Sequence, residues 1–108
     1  MQAALGTVHV DPAVIDYITD LVGRTRAHRA IAFGASPRAS IALLGTARAV
    51  AAANGREFVV PDDVKQMAPP VLRHRILLQP DAELEGTVPD ECIDEILREA
   101  AVPKTAAA

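Results

Sequence analysis

The chain has 108 residues, of which 50% are hydrophobic but only 3% aromatic, and a formal net charge of −3. That length fits one compact domain and leaves no room for a second. The acidic balance argues against a general nucleic-acid binder, whose affinity comes largely from neutralising phosphates.

Much of the apolar content is alanine, so the expected core is built from thin helices that approach closely. Met1 to Val10 lacks the basic patch and continuous apolar stretch of a secretion signal. No segment approaches the ~18 consecutive apolar residues of a membrane span. The one cysteine, Cys92, excludes an internal disulfide and any cysteine-rich zinc site. These features are read as a cytoplasmic protein without membrane insertion.

Asp11 and Pro12 supply a cap and a first-turn proline, and Val14, Ile18, Leu21 and Val22 recur at helical spacing until Gly23 to Arg26. A basic connection, Arg24 to Arg29, runs into Ile31-Ala32-Phe33. Ser36 and Pro37 are expected to cap and begin a second helix, which Ile41, Leu44, Val50 and many alanines carry to Asn54-Gly55. Glu57-Phe58-Val59-Val60 suits a strand stub, and Pro61-Asp62-Asp63 reads as another helix start. Pro69-Pro70 removes two amide donors from the helix that follows, so a break or kink with a fresh turn after it is expected there. Ile76-Leu77-Leu78 is expected to pair with Phe58-Val59-Val60 as a minimal two-stranded ribbon. A polar loop, Gln79 to Gly86, leads to a last helix that opens at Pro89-Asp90-Glu91 and turns Ile93, Ile96, Leu97 and Ala100 inward. The fold class is therefore all-α, a bundle of about four helices over residues 7–103, with a disordered tail at 104–108.

The helix starts differ in charge. The positive end of a helix dipole favours acids in the first turn, and three starts carry them: Asp11, Asp62 with Asp63, and Asp90 with Glu91. The central helix instead opens Ser36-Pro37-Arg38-Ala39-Ser40, with a guanidinium and no acid. Backbone amides, a positive dipole end and an arginine fork together suit an external anion, above all a phosphate. Gly34 and Ala35 are read as keeping the approach open. The competing reading is a guanidinium that simply extends into water.

The string Gly34-Ala35-Ser36-Pro37-Arg38-Ala39, followed by Ser40 and an alanine-rich helix, resembles the sensor 2 motif of MoxR AAA+ proteins. Gly55-Arg56-Glu57, Val60-Pro61-Asp62-Asp63-Val64 and Ala68-Pro69-Pro70-Val71-Leu72-Arg73-His74-Arg75 agree in order, so the likeness covers roughly residues 7 to 103. It implies an AAA+ helical lid packed on its own nucleotide-binding domain, with Arg38 at the terminal phosphate of ATP and Gly34, Ser36 and Pro37 supporting it. It further implies a chaperone-like ATPase, working in a ring of six subunits and often beside a von Willebrand A protein, that matures partner proteins.

A phosphate-binding Gly-x-x-x-x-Gly-Lys-Ser/Thr loop is absent, so no catalytic residue and no tightly bound ATP or Mg is expected in this chain alone. The chain is read as a fragment of an ATPase. Asp94-Glu95 and Asp62-Asp63 lack the setting of magnesium carboxylates. Arg24, Arg26, His28 and Arg29, with Arg73, His74 and Arg75, are either a solvated face or a surface near the nucleotide or a neighbouring subunit, and Arg73, His74 and Arg75 are the better interface candidates. His9, His28, His74 and Cys92 lack zinc-site spacing, and no metal site is expected. Ser36 and Ser40 have no histidine nearby in sequence to activate them. The alternative function is a free-standing adaptor that binds partners through an apolar face.

Overall fold

The computed structural model describes residues 8–104. The expected tail at 104–108 lies outside these residues except for Lys104, as does most of the segment from Met1 to Val10. Five helices and two short strands follow in order. They are α1 (Pro12–Thr25), β1 (Ile31–Phe33), α2 (Arg38–Ala53), α3 (Pro61–Leu72), β2 (Leu77–Leu78), α4 (Pro80–Leu84) and α5 (Pro89–Glu99).

The Asp11 carboxylate accepts a hydrogen bond from the Ala13 N–H at 2.8 Å, beside Pro12 in the first turn, and so starts α1. Val14, Tyr17, Ile18, Leu21 and Val22 then point into the core. α2 buries Ala39, Leu43, Ala47 and Ala51, which recur every fourth residue and form one narrow stripe. Three of the four are alanines, so α3 can approach closely, and it presents Val64, Ala68, Val71 and Leu72 to the same core. α5 closes the bundle with Ile93 and Ile96. Truncating Leu43, which is fully buried, would cost about 2–5 kcal/mol. α2 ends where the sequence places its end, with Asn54 as cap and Gly55 at φ 74°.

Two expectations about α3 and its surroundings are corrected. The helix does not break at Pro69-Pro70, for it runs unbroken from Pro61 to Leu72. Both prolines stand away from the buried positions Val64, Ala68, Val71 and Leu72, and Pro70 is exposed. The lost amide donors thus fall on the outward side of the last turn, where water can serve the carbonyls of Lys65 and Gln66. The ribbon also has a different partner. β2 pairs antiparallel with β1, Ile31 opposite Leu78 and Phe33 opposite Leu77, whereas Phe58 forms a bridge with His9. An unbroken helix of 12 residues explains the exchange. It spans about 18 Å at ~1.5 Å per residue and carries Leu77-Leu78 to the far end from Phe58-Val59-Val60.

The segment read as a polar loop, Gln79 to Gly86, contains the one-turn helix α4. Gly86, at φ 90°, follows it, and the Thr87 N–H returns to the Ala82 carbonyl at 3.0 Å. Tyr17 is buried, and its hydroxyl has no partner among the described residues. Burial raises its pKa above the ordinary phenol value, and the nearby carboxylates of Asp62 and Asp20 add to the rise.

Candidate functional site

The approach to α2 is fastened to the end of α1. Thr25, fully buried, donates its hydroxyl to the Val22 carbonyl at 2.6 Å and accepts the Ala35 N–H at 2.9 Å. The Arg26 guanidinium donates to the Ala35 carbonyl at 2.8 Å. Gly34 sits against the same turn so closely that a Cβ there would lie 2.6 Å from the Arg26 nitrogen and from the Thr25 carbonyl carbon and oxygen. Its role is a close backbone approach that only glycine permits. Ala35 is fully buried, so this pair holds the helix start in place rather than opening a path to it.

From that anchor the chain presents Ser36, Pro37 and Arg38 to solvent. The regular helix begins at Arg38, with Pro37 as its cap residue, and no side chain caps it. Ser36 contributes its carbonyl, which accepts from the Ala39 N–H at 2.9 Å, so the expected hydroxyl cap does not form. Four of the five helix starts carry acids. Asp11 caps α1, Asp62 and Asp63 open α3, Asp81 and Glu83 lie in the first turn of α4, and Asp90 and Glu91 open α5. At α3 and α5 the third-position acid also accepts the cap residue's N–H, Asp63 from Val60 and Glu91 from Val88, each at 2.9 Å. α2 has no acid in its first turn. Arg38 makes no ion pair or hydrogen bond with any described residue. It borders a groove of about 550 Å³ together with Gly34, Ser36, Ile41 and Arg75.

The other basic residues are divided among separate partners. Arg24 pairs with Asp20 one turn earlier at 3.0 Å. Arg29 and His28 converge on Glu95 of α5, Arg29 at 3.1 Å, and His28 donates through Nε2 because its Nδ1 accepts the Ala30 N–H. Hydrogen bonds from Arg29 and then His28 hold the Glu95 carboxyl below the usual glutamate range. Arg73, His74 and Arg75 do not share one surface role. Arg73 forms a two-pronged contact with Asp90 at the start of α5, at 3.0 and 2.9 Å, and His74 is exposed. Arg75 donates to the Val71 carbonyl at 2.8 Å and lines the groove that contains Arg38.

One acid of each acidic pair, Asp63 and Glu95, is held in an ion pair. Asp63 is buried and accepts two bonds from the Arg56 guanidinium, at 2.6 and 2.7 Å, and this contact raises the Arg56 pKa. The Gly55-Arg56-Glu57 turn is thereby tied to the start of α3. Cys92 is buried, and burial lifts its thiol pKa. Among the described residues no cluster of His, Cys, Asp or Glu has the arrangement of a metal site, and no helix is long and apolar enough to cross a membrane. Neither the role of Thr25 nor the groove shared by Arg38 and Arg75 is legible in the sequence. For Thr25 the sequence shows only a threonine where the apolar pattern of α1 ends, and its burial needs the fold.

A protein-family model described as an AAA lid domain matches residues 23–96. The chain is 38% identical over 103 residues to the uncharacterised protein YeaC of Bacillus subtilis, covering 95% of this chain and 32% of YeaC. It is 37% identical over 113 residues to chaperone MoxR1 of Mycobacterium tuberculosis, covering 96% of this chain and 30% of that protein. A crystal structure of a Cytophaga hutchinsonii protein assigned as an ATPase superposes with a TM-score of 0.89 at 35% identity, over 95% of this chain and 34% of the other. The chain thus spans about a third of the length of these relatives.

Proposed function

Because the chain belongs to the AAA lid domain family, with MoxR proteins among its relatives, we propose that it acts as the lid of a MoxR-type ATPase and that Arg38 reads the terminal phosphate of ATP. One observation carries the proposal. Among the five helix starts of the described residues, only that of α2 presents an exposed guanidinium, no acid and no side-chain cap. An external anion is the partner that this end of the helix dipole lacks, and phosphate is the anion that an ATPase supplies.

The rest of the fold explains how such a contact acts at a distance. Arg38 stands on the first turn of the longest helix, and the turn before it is bolted to α1 through Gly34, Ala35 and Thr25. A pull on Arg38 is therefore passed to the bundle as a rigid body, because neither the loop nor the helix start can yield alone. The nucleotide-binding domain supplies the phosphate loop, the magnesium site and the attacking water, and the lid supplies Arg38, whose contact is lost once the terminal phosphate leaves. In this reading the ATPase matures partner proteins, as the name of chaperone MoxR1 of Mycobacterium tuberculosis suggests, and neighbouring subunits form a ring. A von Willebrand A partner belongs to the same reading.

The test is steady-state hydrolysis by the full-length ATPase carrying this lid. Arg38→Ala is expected to lower kcat about tenfold or more, the scale of one charge-assisted contact, with the helical signal and thermal midpoint unchanged. Wild-type turnover in a folded Arg38→Ala protein would refute the role given to Arg38. The 108-residue chain alone is expected to show no measurable ATP binding by calorimetry, since one helix end and its arginines provide only part of a triphosphate cradle.

A further inference from the structure

We infer that Arg75 is a second phosphate-facing cation and that, together with Arg38, it makes the lid discriminate a nucleoside triphosphate from a diphosphate. The inference rests on the reading of Arg38 given above. Arg38 starts α2, whereas Arg75 lies beyond the end of α3, yet both line one groove. That groove carries two guanidinium groups and no carboxylate. The chain as a whole is acidic, and two other charged grooves contain acids: Glu85, Glu91 and Glu95 in one, Asp81 and Glu85 in the other.

The local geometry separates Arg75 from its basic neighbours. Arg73 is spent on Asp90, and Arg29 on Glu95. Arg75 has no carboxylate partner among the described residues, and one of its nitrogens donates to the Val71 carbonyl at 2.8 Å. That bond fixes where the guanidinium stands and leaves its remaining N–H groups free to donate. Two like charges facing one groove repel each other until an anion enters, and a doubly charged terminal phosphate compensates both, whereas a single carboxylate compensates one. A diphosphate bound in the neighbouring domain ends one phosphate short and would leave the pair uncompensated. The sequence Arg73-His74-Arg75 thus serves two ends: Arg73 ties α3 to α5, and Arg75 faces the nucleotide.

Equilibrium binding of a non-hydrolysable ATP analogue and of ADP to the full-length ATPase tests this, with Arg75→Ala, Arg75→Lys and Arg38→Ala compared with wild type. The expected result is that Arg75→Ala weakens the triphosphate about tenfold and the diphosphate little, and that Arg75→Lys recovers part of the difference. Equal weakening of both nucleotides, or no recovery by lysine, would assign Arg75 to capping α3 and overturn the inference. If Arg75→Ala leaves both affinities unchanged while Arg38→Ala still weakens the triphosphate, Arg75 is excluded and the reading of Arg38 survives. No effect from either variant removes both.

Discussion

At the residue scale, the absence of a side chain at Gly34 decides whether Arg38 is held in place. Gly34 is there because backbone occupies the space where a Cβ would be, at 2.6 Å. Gly34→Ala is expected to destabilise the chain by about 1–3 kcal/mol through enforced backbone displacement, measured as a lower midpoint in urea. A fully stable Gly34→Ala protein would show that α1 and the loop can part without cost. Thr25→Val removes the hydroxyl that both caps Val22 and accepts from Ala35, leaving a buried amide unpaired. The expected loss is about 1–3 kcal/mol, and isosteric valine rules out a simple volume effect. Arg38 itself was legible in the sequence, since a missing acid and an added cation at a helix start need no coordinates to be seen. The cause of Gly34 was not, because it depends on a helix end eight or nine residues earlier in the chain folding back against it.

At the element scale, the helices were legible where local rules dominate. Asp11-Pro12, Pro61-Asp62-Asp63 and Pro89-Asp90-Glu91 open helices in the sequence and in the structure. The error at Pro69-Pro70 came from weighing lost hydrogen bonds without knowing which face they would leave, and the ribbon pairing failed with it. Arg56 and Asp63 join a turn to a helix start, which no periodicity reveals. Arg56→Ala would strand a carboxylate that is only 2% exposed, and a loss of about 2 kcal/mol is expected from chemical denaturation. The contact of Arg29 and His28 with Glu95 makes a pH prediction. Because the folded protein holds the Glu95 carboxyl below its ordinary range, the contribution is fully present above the unfolded value, about 4.3, and is lost as pH falls through the lower folded value. Glu95→Gln should therefore be less stable than wild type near neutrality and show a shallower decline in Tm on acidification. Parallel Tm profiles for the two proteins would contradict the assignment.

At the scale of the whole molecule, the bundle is a rigid carrier for a cationic groove at the start of α2. The alanine stripe of α2 lets α3 approach, and the unbroken α3 brings Arg75 to the groove that Arg38 lines. The family likeness and the helical architecture were both legible in the sequence, because the motifs lie in order along nearly the whole chain. The two-arginine groove was not, since it joins residues 37 positions apart. The most direct measurement of the central claim is amide hydrogen exchange in the full-length ATPase, comparing a non-hydrolysable ATP analogue with ADP. Exchange at Arg38 to Ile41 is predicted to slow with the triphosphate in wild type, and the difference is predicted to vanish in Arg38→Ala. Identical exchange with both nucleotides in the wild-type protein would contradict the claim that this helix start reads the terminal phosphate.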